Sequence, residues 1–482
     1  MMDKWIDELV SSLSHADKEP MYKRLGGLLY EMIERGCIAA DEKLPPIRKL
    51  AGLLAVNNIT VINAYKLLES RKAAYSIVGS GTYAARLAPE FRAFMQSTPR
   101  QPSSAALFEA NDRKSMIQFA NTSASVSLFP VEAFKALFNE VLDRDKGGAF
   151  GYEDSGGYMP LCRALCACVE EQGIKTLPER VQIVSGAQQG VDIIAKAMLL
   201  PNDAVLVESP TYYGAVGSFL SRGAAVAGVP MEADGADMVM FEALVRANRP
   251  RLAYVMTNFQ TPTTASYSLE KKRMLLALAS KYDFYIVEED NQSDFYFGDK
   301  PSVPLKALDH KNRVIYIKSF SKILMPGLRL GFMLLPKIVQ SRVAAAKYTT
   351  DVETSGFIQR AFELFVRTGG WREHITKMRG IYRARYNEMI AASERFLCGR
   401  MAFTPPNGGL NVWYALDERV QVPALCAALA REGVIVTPGS LFSLHGEETQ
   451  NIRLSFANVD VGRIAIGIEK MAAVFDALAV GR

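Results

Sequence analysis

The stretch Ser319-Phe320-Ser321-Lys322-Ile323-Leu324-Met325-Pro326-Gly327-Leu328-Arg329-Leu330-Gly331 follows directly on the apolar run Val314 to Ile317. A short apolar run rich in branched residues reads as a buried strand, so the motif begins at a strand end. Lys322 supplies an amine that can form a Schiff base with an aldehyde. Ser319, Ser321 and Arg329 supply the hydroxyls and guanidinium that hold a phosphate by charge-assisted hydrogen bonds. Aldehyde and phosphate together point to pyridoxal 5'-phosphate (PLP) as the cofactor. A lysine after one serine is weak evidence, since surface lysines are common; the complete string is specific.

Outward from this motif, apolar runs alternate with helix-length segments. The runs are Val181 to Ser185, Ala204 to Val207, Leu252 to Met256, Phe284 to Val287 and Val314 to Ile317, with helices expected at Gln188 to Leu200 and Leu269 to Tyr282. Continuous rather than alternating apolar strands mean a mostly parallel sheet buried on both faces, hence an α/β fold with α/β/α layering and ligand sites at the strand ends. Ala187 and Gln188 open a helix just after Gly186, where free amides and the positive dipole end suit a phosphate.

The bulk properties bound the rest. A chain of 482 residues suggests two or three domains; 49% hydrophobic and 22% charged residues describe a globular protein. No uncharged apolar stretch reaches the ~18 residues a membrane span needs. The charged start, with Asp3, Lys4, Asp7 and Glu8, is unlike a secretory signal, so a cytoplasmic location is expected. Six scattered cysteines do not make a disulfide framework; Cys162 and Cys166 fall i,i+4 on an expected helix as small hydrophobes, without further ligands for a metal. The net charge of +5 is uneven: Lys43, Arg48, Lys49, Lys66, Arg71, Lys72 and Arg86 face the single acid Glu69 between 43 and 86, a segment suited to phosphates.

That basic segment lies in a small module. From Pro20 to Cys37, Leu25, Leu28, Leu29, Met32 and Ile33 form a helical stripe; Pro45-Pro46 leads into a second helix, and Val56-Asn57-Asn58 breaks the pattern before Val61, Ala64, Tyr65 and Leu68 resume it. Two short strands follow around Gly79-Ser80-Gly81, a wing on a helix-turn-helix. Lys43-Leu44-Pro45-Pro46-Ile47-Arg48, Thr60-Val61, Ala64-Tyr65 and Gly79-Ser80-Gly81-Thr82-Tyr83 resemble the GntR-type winged helix over about 65 residues. The resemblance implies double-stranded DNA as a partner, with Arg48, Asn57, Asn58, Thr60, Asn63, Gly79, Ser80, Gly81 and Thr82 as contacts. Where the family has Ser-Arg before its recognition helix, this chain has Asn57-Asn58; the alternative role for these asparagines is helix capping. The proline- and serine-bearing stretch from Arg86 to Ser115 reads as a linker.

The larger part resembles the fold-type I aminotransferases, with the aspartate aminotransferase fold, and the two parts together are similar to the MocR family of chimeric regulators. Leu128-Phe129-Pro130, Tyr152-Glu153-Asp154-Ser155-Gly156-Gly157-Tyr158 and Glu208-Ser209-Pro210-Thr211-Tyr212 carry this alongside the lysine motif. The resemblance implies that Tyr152 reaches the phosphate of a partner subunit in a head-to-tail homodimer, that Tyr212 stacks on the cofactor ring, and that Arg453 clamps an effector carboxylate. Expected domains are 1–86 winged helix, 87–115 linker, 116–350 large PLP domain and 351–482 α+β small domain.

Around the ring the chain departs from the family. Glu288-Glu289-Asp290-Asn291 stands for Glu-Asp-Asp-Tyr, so Glu289 or Asp290 meets the pyridine nitrogen and Asn291 replaces the tyrosine at the phenolic oxygen. Thr261-Pro262-Thr263-Thr264 stands for Asn-Pro-Thr-Gly, which weakens that oxygen's other partner. The expectation is a transcription regulator that senses PLP or an amine or amino-acid effector with little turnover; the alternative is an active aminotransferase with an accessory DNA-binding domain.

Overall fold

The stripe of Leu25, Leu29, Met32 and Ile33 folds as helix α1 (Met21–Glu34) and is buried against α2 (Ile47–Leu53) and α3 (Asn58–Ser70) through Leu50, Val61, Ala64 and Leu68. This is a computed structural model describing residues 5–6, 9, 13, 20–34, 37–38, 42–70, 73–77, 80–85, 116–444 and 446–480. Its contacts divide the chain into two units, 1–93 and 94–482. In the first, β1 (Ala74–Ile77) and β2 (Gly81–Ala84) pair antiparallel, and Leu44 N donates to Thr82 O at 2.9 Å, tying the wing to the turn before α2. Gly79 and the expected linker, 87–115, lie outside the described residues.

The second unit begins with β3 (Ile117–Gln118), α4 (Val131–Asp145) and α5 (Met159–Glu170) and then lays down the expected sheet. Its members are β4 (Val181–Val184), α6 (Ala187–Met198), β5 (Ala204–Ser209), α7 (Tyr213–Leu220), β6 (Ala225–Glu232), β7 (Gly235–Ala236), α8 (Met238–Asn248), β8 (Leu252–Val255), α9 (Leu269–Tyr282), β9 (Tyr285–Asp290), β10 (Val314–Ser319) and β11 (Gly331–Leu334). The strand order is β4-β11-β10-β9-β8-β5-β6-β7, parallel from β10 through β6 and antiparallel at both margins. The reversal at β11 is set at Arg329, whose φ of 50° turns the chain back so that Gly331 pairs with Ser319. Period-two alternation assigns the faces. Val287 and Ile317 pack under α6, α7 and α10 (Lys337–Asp351), whereas Ile286 and Val314 pack on the opposite side.

After α11 (Gly356–Arg367) and the long α12 (Gly370–Phe396), β12 (Met401–Phe403), β13 (Asn411–Leu416), α13 (Val422–Arg431), β14 (Val434–Ile435), β15 (Thr437–Pro438), β16 (Asn451–Ser455) and α14 (Val461–Val480) build the smaller layer. Its sheet, β12-β13-β16-β15, is antiparallel, and β14 pairs with β3. Among the described residues no helix is long and apolar enough to cross a membrane, and no cluster of His, Cys, Asp or Glu is built to hold a metal. Cys162 is buried in the α5 core.

Candidate functional site

Ser319 ends β10, Glu289 lies near the end of β9, and Ala187 starts α6, so the strand ends and one helix N-terminus converge on a cavity of about 250 Å3. Ala187, Gln188, Tyr212, Thr261, Glu289, Asn291, Ser319, Ser321, Lys322, Arg329 and Arg453 all border it. Tyr152 does not; its side chain is 88% exposed. Thr122, Tyr213, Thr437, Leu441 and Phe442 complete the lining and were not singled out in the sequence. Thr437 pairs directly with Arg453 in the β15–β16 register, a relation that only the folded sheet reveals.

At one end sits a cradle for an oxyanion. Arg329 donates from Nη1 to Ser321 Oγ at 3.3 Å and from Nη2 to Ser185 O at 2.5 Å; Ser319 and Ser321 hydroxyls lie 3.2 Å apart. Gly186 precedes α6 with φ 98°, and a Cβ there would meet Arg329 Nη2 at 2.9 Å. Glycine is what lets the guanidinium lie against the helix N-terminus, where unpaired amides and the dipole add to its charge. Gln188 turns its side chain away, donating to Gly214 O and Ser218 Oγ, both at 2.9 Å; its backbone remains in the first turn of α6.

In the middle, Lys322 is partly buried on the cavity wall and makes no hydrogen bond or ion pair among the described residues. Burial pushes its amine below the ordinary lysine value; Glu289 opposes this and Arg453 adds to it. The two carboxylates left open by the sequence part company by alternation along β9. Glu289 faces the cavity and accepts from the Tyr254 hydroxyl and from Asn291 Nδ2. Asp290 lies on the other face, accepting from Ser293 Oγ at 2.7 Å and Tyr316 OH at 2.8 Å, with Lys318 Nζ 3.5 Å away. Burial would raise the Asp290 carboxyl, but Lys318 and these donors outweigh it and hold it below its ordinary value. Tyr212 lies beside Tyr213 with ring centroids 5.3 Å apart, its hydroxyl pushed up by burial.

At the far end, Arg453 donates from Nη2 to Ala120 O at 2.5 Å and Thr437 Oγ1 at 2.7 Å, while its Nε is buried without a partner. Among the described residues no carboxylate pairs with it, and burial pushes it down to about 10. A desolvated guanidinium without an acid is costly unless an anion completes it. Orphaned buried atoms at Arg453 Nε and Asn291 Oδ1, a phosphate-shaped cradle and a depressed amine together fit PLP and a carboxylate-bearing amine. A larger cavity of about 650 Å3 borders Lys318 and Asp294, ion-paired at 2.8 Å, but lacks the cradle and the depressed amine.

In the first unit, the exposed edge of α3 and the turn before it carry Asn57, Asn58, Ile59 and Lys66, with Thr60 and Asn63 partly exposed; Arg48 is exposed on α2. Asn57 Oδ1 accepts from Ile59 N at 3.0 Å, so that side chain caps the helix. Ile59, 62% exposed at the start of α3, is an apolar group without a place in the helical stripe read from the sequence. On the wing, Ser80 is exposed and shares a 2.6 Å hydrogen bond with Tyr83, Gly81 is exposed, and Thr82 Oγ1 lies 3.0 Å from Ser76 Oγ.

Residues 121–471 match the family described as aminotransferase class I and II, and residues 21–84 match the bacterial regulatory proteins of the gntR family. The chain is 29% identical to the probable rhizopine catabolism regulatory protein MocR of Rhizobium meliloti, over 95% of this chain and 94% of that one. It is 28% identical to YisV of Bacillus subtilis, an uncharacterised HTH-type transcriptional regulator, over 94% of this chain and 95% of that one. Among solved structures, LysN of Thermus thermophilus, an α-aminoadipate aminotransferase complexed with N-(5'-phosphopyridoxyl)-L-leucine, superposes with a TM-score of 0.73 at 28% identity, covering 81% of this chain and 98% of that one. PLP is the cofactor of this fold family. The chain therefore belongs to the aminotransferase class I and II family and, with its GntR-type amino-terminal segment, has the make-up of the MocR-type regulators.

Proposed function

We propose that this protein is a cytoplasmic, DNA-binding transcription regulator whose aminotransferase-like unit holds PLP on Lys322 and reads a carboxylate-bearing amine. The observation that carries the reading is the placement of Lys322 and an acid-free, buried Arg453 on one 250 Å3 cavity. When bound, PLP supplies an aldehyde carbon at which amines are reversibly captured. Ser319, Ser321, Arg329 and the start of α6 hold the phosphate; Tyr212 packs against the ring; Glu289 meets the pyridine nitrogen. Arg453 orients the effector by its carboxylate, so that an amine on the same molecule meets the site that Lys322 occupies. The effector then changes the balance between DNA-binding states by binding one of them more tightly.

A head-to-tail homodimer is part of the proposal, with the exposed Tyr152 reaching the partner's phosphate cradle. The winged helix lays the exposed edge of α3 in the major groove, with Arg48, Asn58, Thr60 and Asn63 as contacts and Asn57 holding the helix start. Low turnover is expected because Asn291 and Thr261 change the groups around the ring while the phosphate anchors are kept. The aminotransferase reading is favoured by the shared cavity of Lys322 and Arg453 and disfavoured by those changes.

The test is the visible spectrum of the purified protein with PLP, alone and with candidate amino acids, beside Lys322→Ala. A band absent from Lys322→Ala, altered by one amine without steady product release and accompanied by a change in operator affinity, is the expected result. Sustained conversion of amino acids at ordinary enzyme rates would establish the aminotransferase instead.

A further inference from the structure

The hydrogen bonds around Glu289 and Thr261 fix which side of each polar group is available to the cavity. Glu289 as a carboxylate can only accept, so the Asn291 amide beside it must be turned with Nδ2 toward Glu289. Its carbonyl oxygen is then the free end, and Asn291 Oδ1 is buried with no partner among the described residues. On the other side, Gln292 donates from Nε2 to Thr261 Oγ1 at 3.1 Å, while its own Oε1 accepts from Leu410 N at 2.7 Å. The glutamine is thereby locked in one orientation, and the Thr261 hydroxyl, already an acceptor, has its proton to give. Both Asn291 and Thr261 border the cavity with Glu289.

We propose that Asn291 presents a hydrogen-bond acceptor to the phenolic oxygen of the bound ring and Thr261 a donor, with Glu289 and Gln292 as the positioning residues that set these directions. Where the family resemblance implies a tyrosine donor, this chain places the opposite polarity. An acceptor at that oxygen stabilises its protonated form, and a donor stabilises its ionised form. Relative to a site with a tyrosine donor in place of Asn291, the lysine-linked chromophore is shifted toward the neutral phenol, which adds near-ultraviolet absorbance at the expense of the visible band. This deepens the PLP reading and rests on it.

The experiment is a pH titration of the absorbance of the full-length protein loaded with PLP, comparing wild type with Asn291→Leu, which keeps the number and branching of side-chain heavy atoms, and Thr261→Val, which keeps the shape. Asn291→Leu is expected to lower the midpoint by about 1 pH unit and enlarge the visible band at neutral pH; Thr261→Val is expected to move both the other way by a similar amount. Gln292→Leu, which frees the threonine hydroxyl to turn, should move them in the Thr261→Val direction by less. A midpoint that rises or stays put in Asn291→Leu, or that falls or stays put in Thr261→Val, overturns the assignment. Each variant tests it independently of whether the other folds. Absence of any lysine-linked band in wild type would instead overturn the PLP reading itself, a distinct result.

Discussion

A neutral amine attacks a carbonyl and an ammonium does not, so the environment of Lys322 decides when it can take up a cofactor. Burial lowers its pKa from the ordinary 10.5, Arg453 pushes the same way and Glu289 resists. The rate of PLP capture should therefore rise with pH and level off below 10.5; stopped-flow absorbance reads the midpoint. Glu289→Gln should move that midpoint further down and Arg453→Met back up. Arg453→Met should also weaken the effector by roughly 10- to 100-fold, the scale of a charge-assisted hydrogen bond at ~1.5–3 kcal/mol, measured by titrating the amine-induced spectral change. Glu208 offers a stability test. Burial pushes its carboxyl up to about 8, although Met256 N, Tyr267 and Gln260 donate to it. A folded pKa raised above the unfolded 4.5 means the folded state holds that proton more tightly. Its contribution is complete below about pH 4.5 and is lost as pH rises through about 8. The melting temperature should therefore fall between about pH 4.5 and 8 more in wild type than in Glu208→Gln; equal slopes over that range would show that Glu208 is not the group responsible.

At the scale of elements, α3 separates two jobs that the sequence left joined. Asn57 caps the helix through Ile59 N, whereas among the described residues no such bond ties the Asn58 side chain. Asn57→Ala should cost about 0.5–2 kcal/mol in denaturant unfolding of the DNA-binding unit. Asn58→Ala should leave unfolding unchanged and reduce operator affinity. Lys66→Ala should lower the slope of log affinity against log salt by about 0.9 if it neutralises one phosphate. Helices and parallel strands were legible because their signals are local: the stripe Leu25–Leu29–Met32 and the runs ending at Ile317 and Val287 each carry their period in the chain itself. β11 was not foreseen, because its four residues continue a motif read for its chemistry and its reversal depends on the backbone at Arg329. Which of Glu289 and Asp290 borders the cavity had to wait for the pleat, since adjacent residues of one strand face opposite sides and the sequence does not say which side is open. Thr437 and Phe442 join the site through the small sheet, far along the chain from Lys322 and without a motif of their own.

For the whole molecule, the question is whether one protomer completes another's site. Tyr152 is 88% exposed and does not border its own chain's cavity, as expected of a group that serves a neighbour. If it reaches the partner's phosphate cradle, mixing Tyr152→Ala with Lys322→Ala gives a heterodimer with unequal sites. The site around the intact Lys322 receives the intact Tyr152 of the other chain; the second site lacks both groups. Half of the sites in such heterodimers should then bind PLP with wild-type affinity, although neither parent homodimer does. If Tyr152 acts within its own chain, every site carries one defect and no wild-type component emerges. Co-expression with two affinity tags isolates the mixed dimer, and a PLP titration of its lysine-linked absorbance, near-ultraviolet and visible together, counts the high-affinity sites. A loss of a phosphate hydrogen bond of ~1.5–3 kcal/mol separates the two classes of site by roughly 10- to 100-fold, wide enough to resolve in one titration.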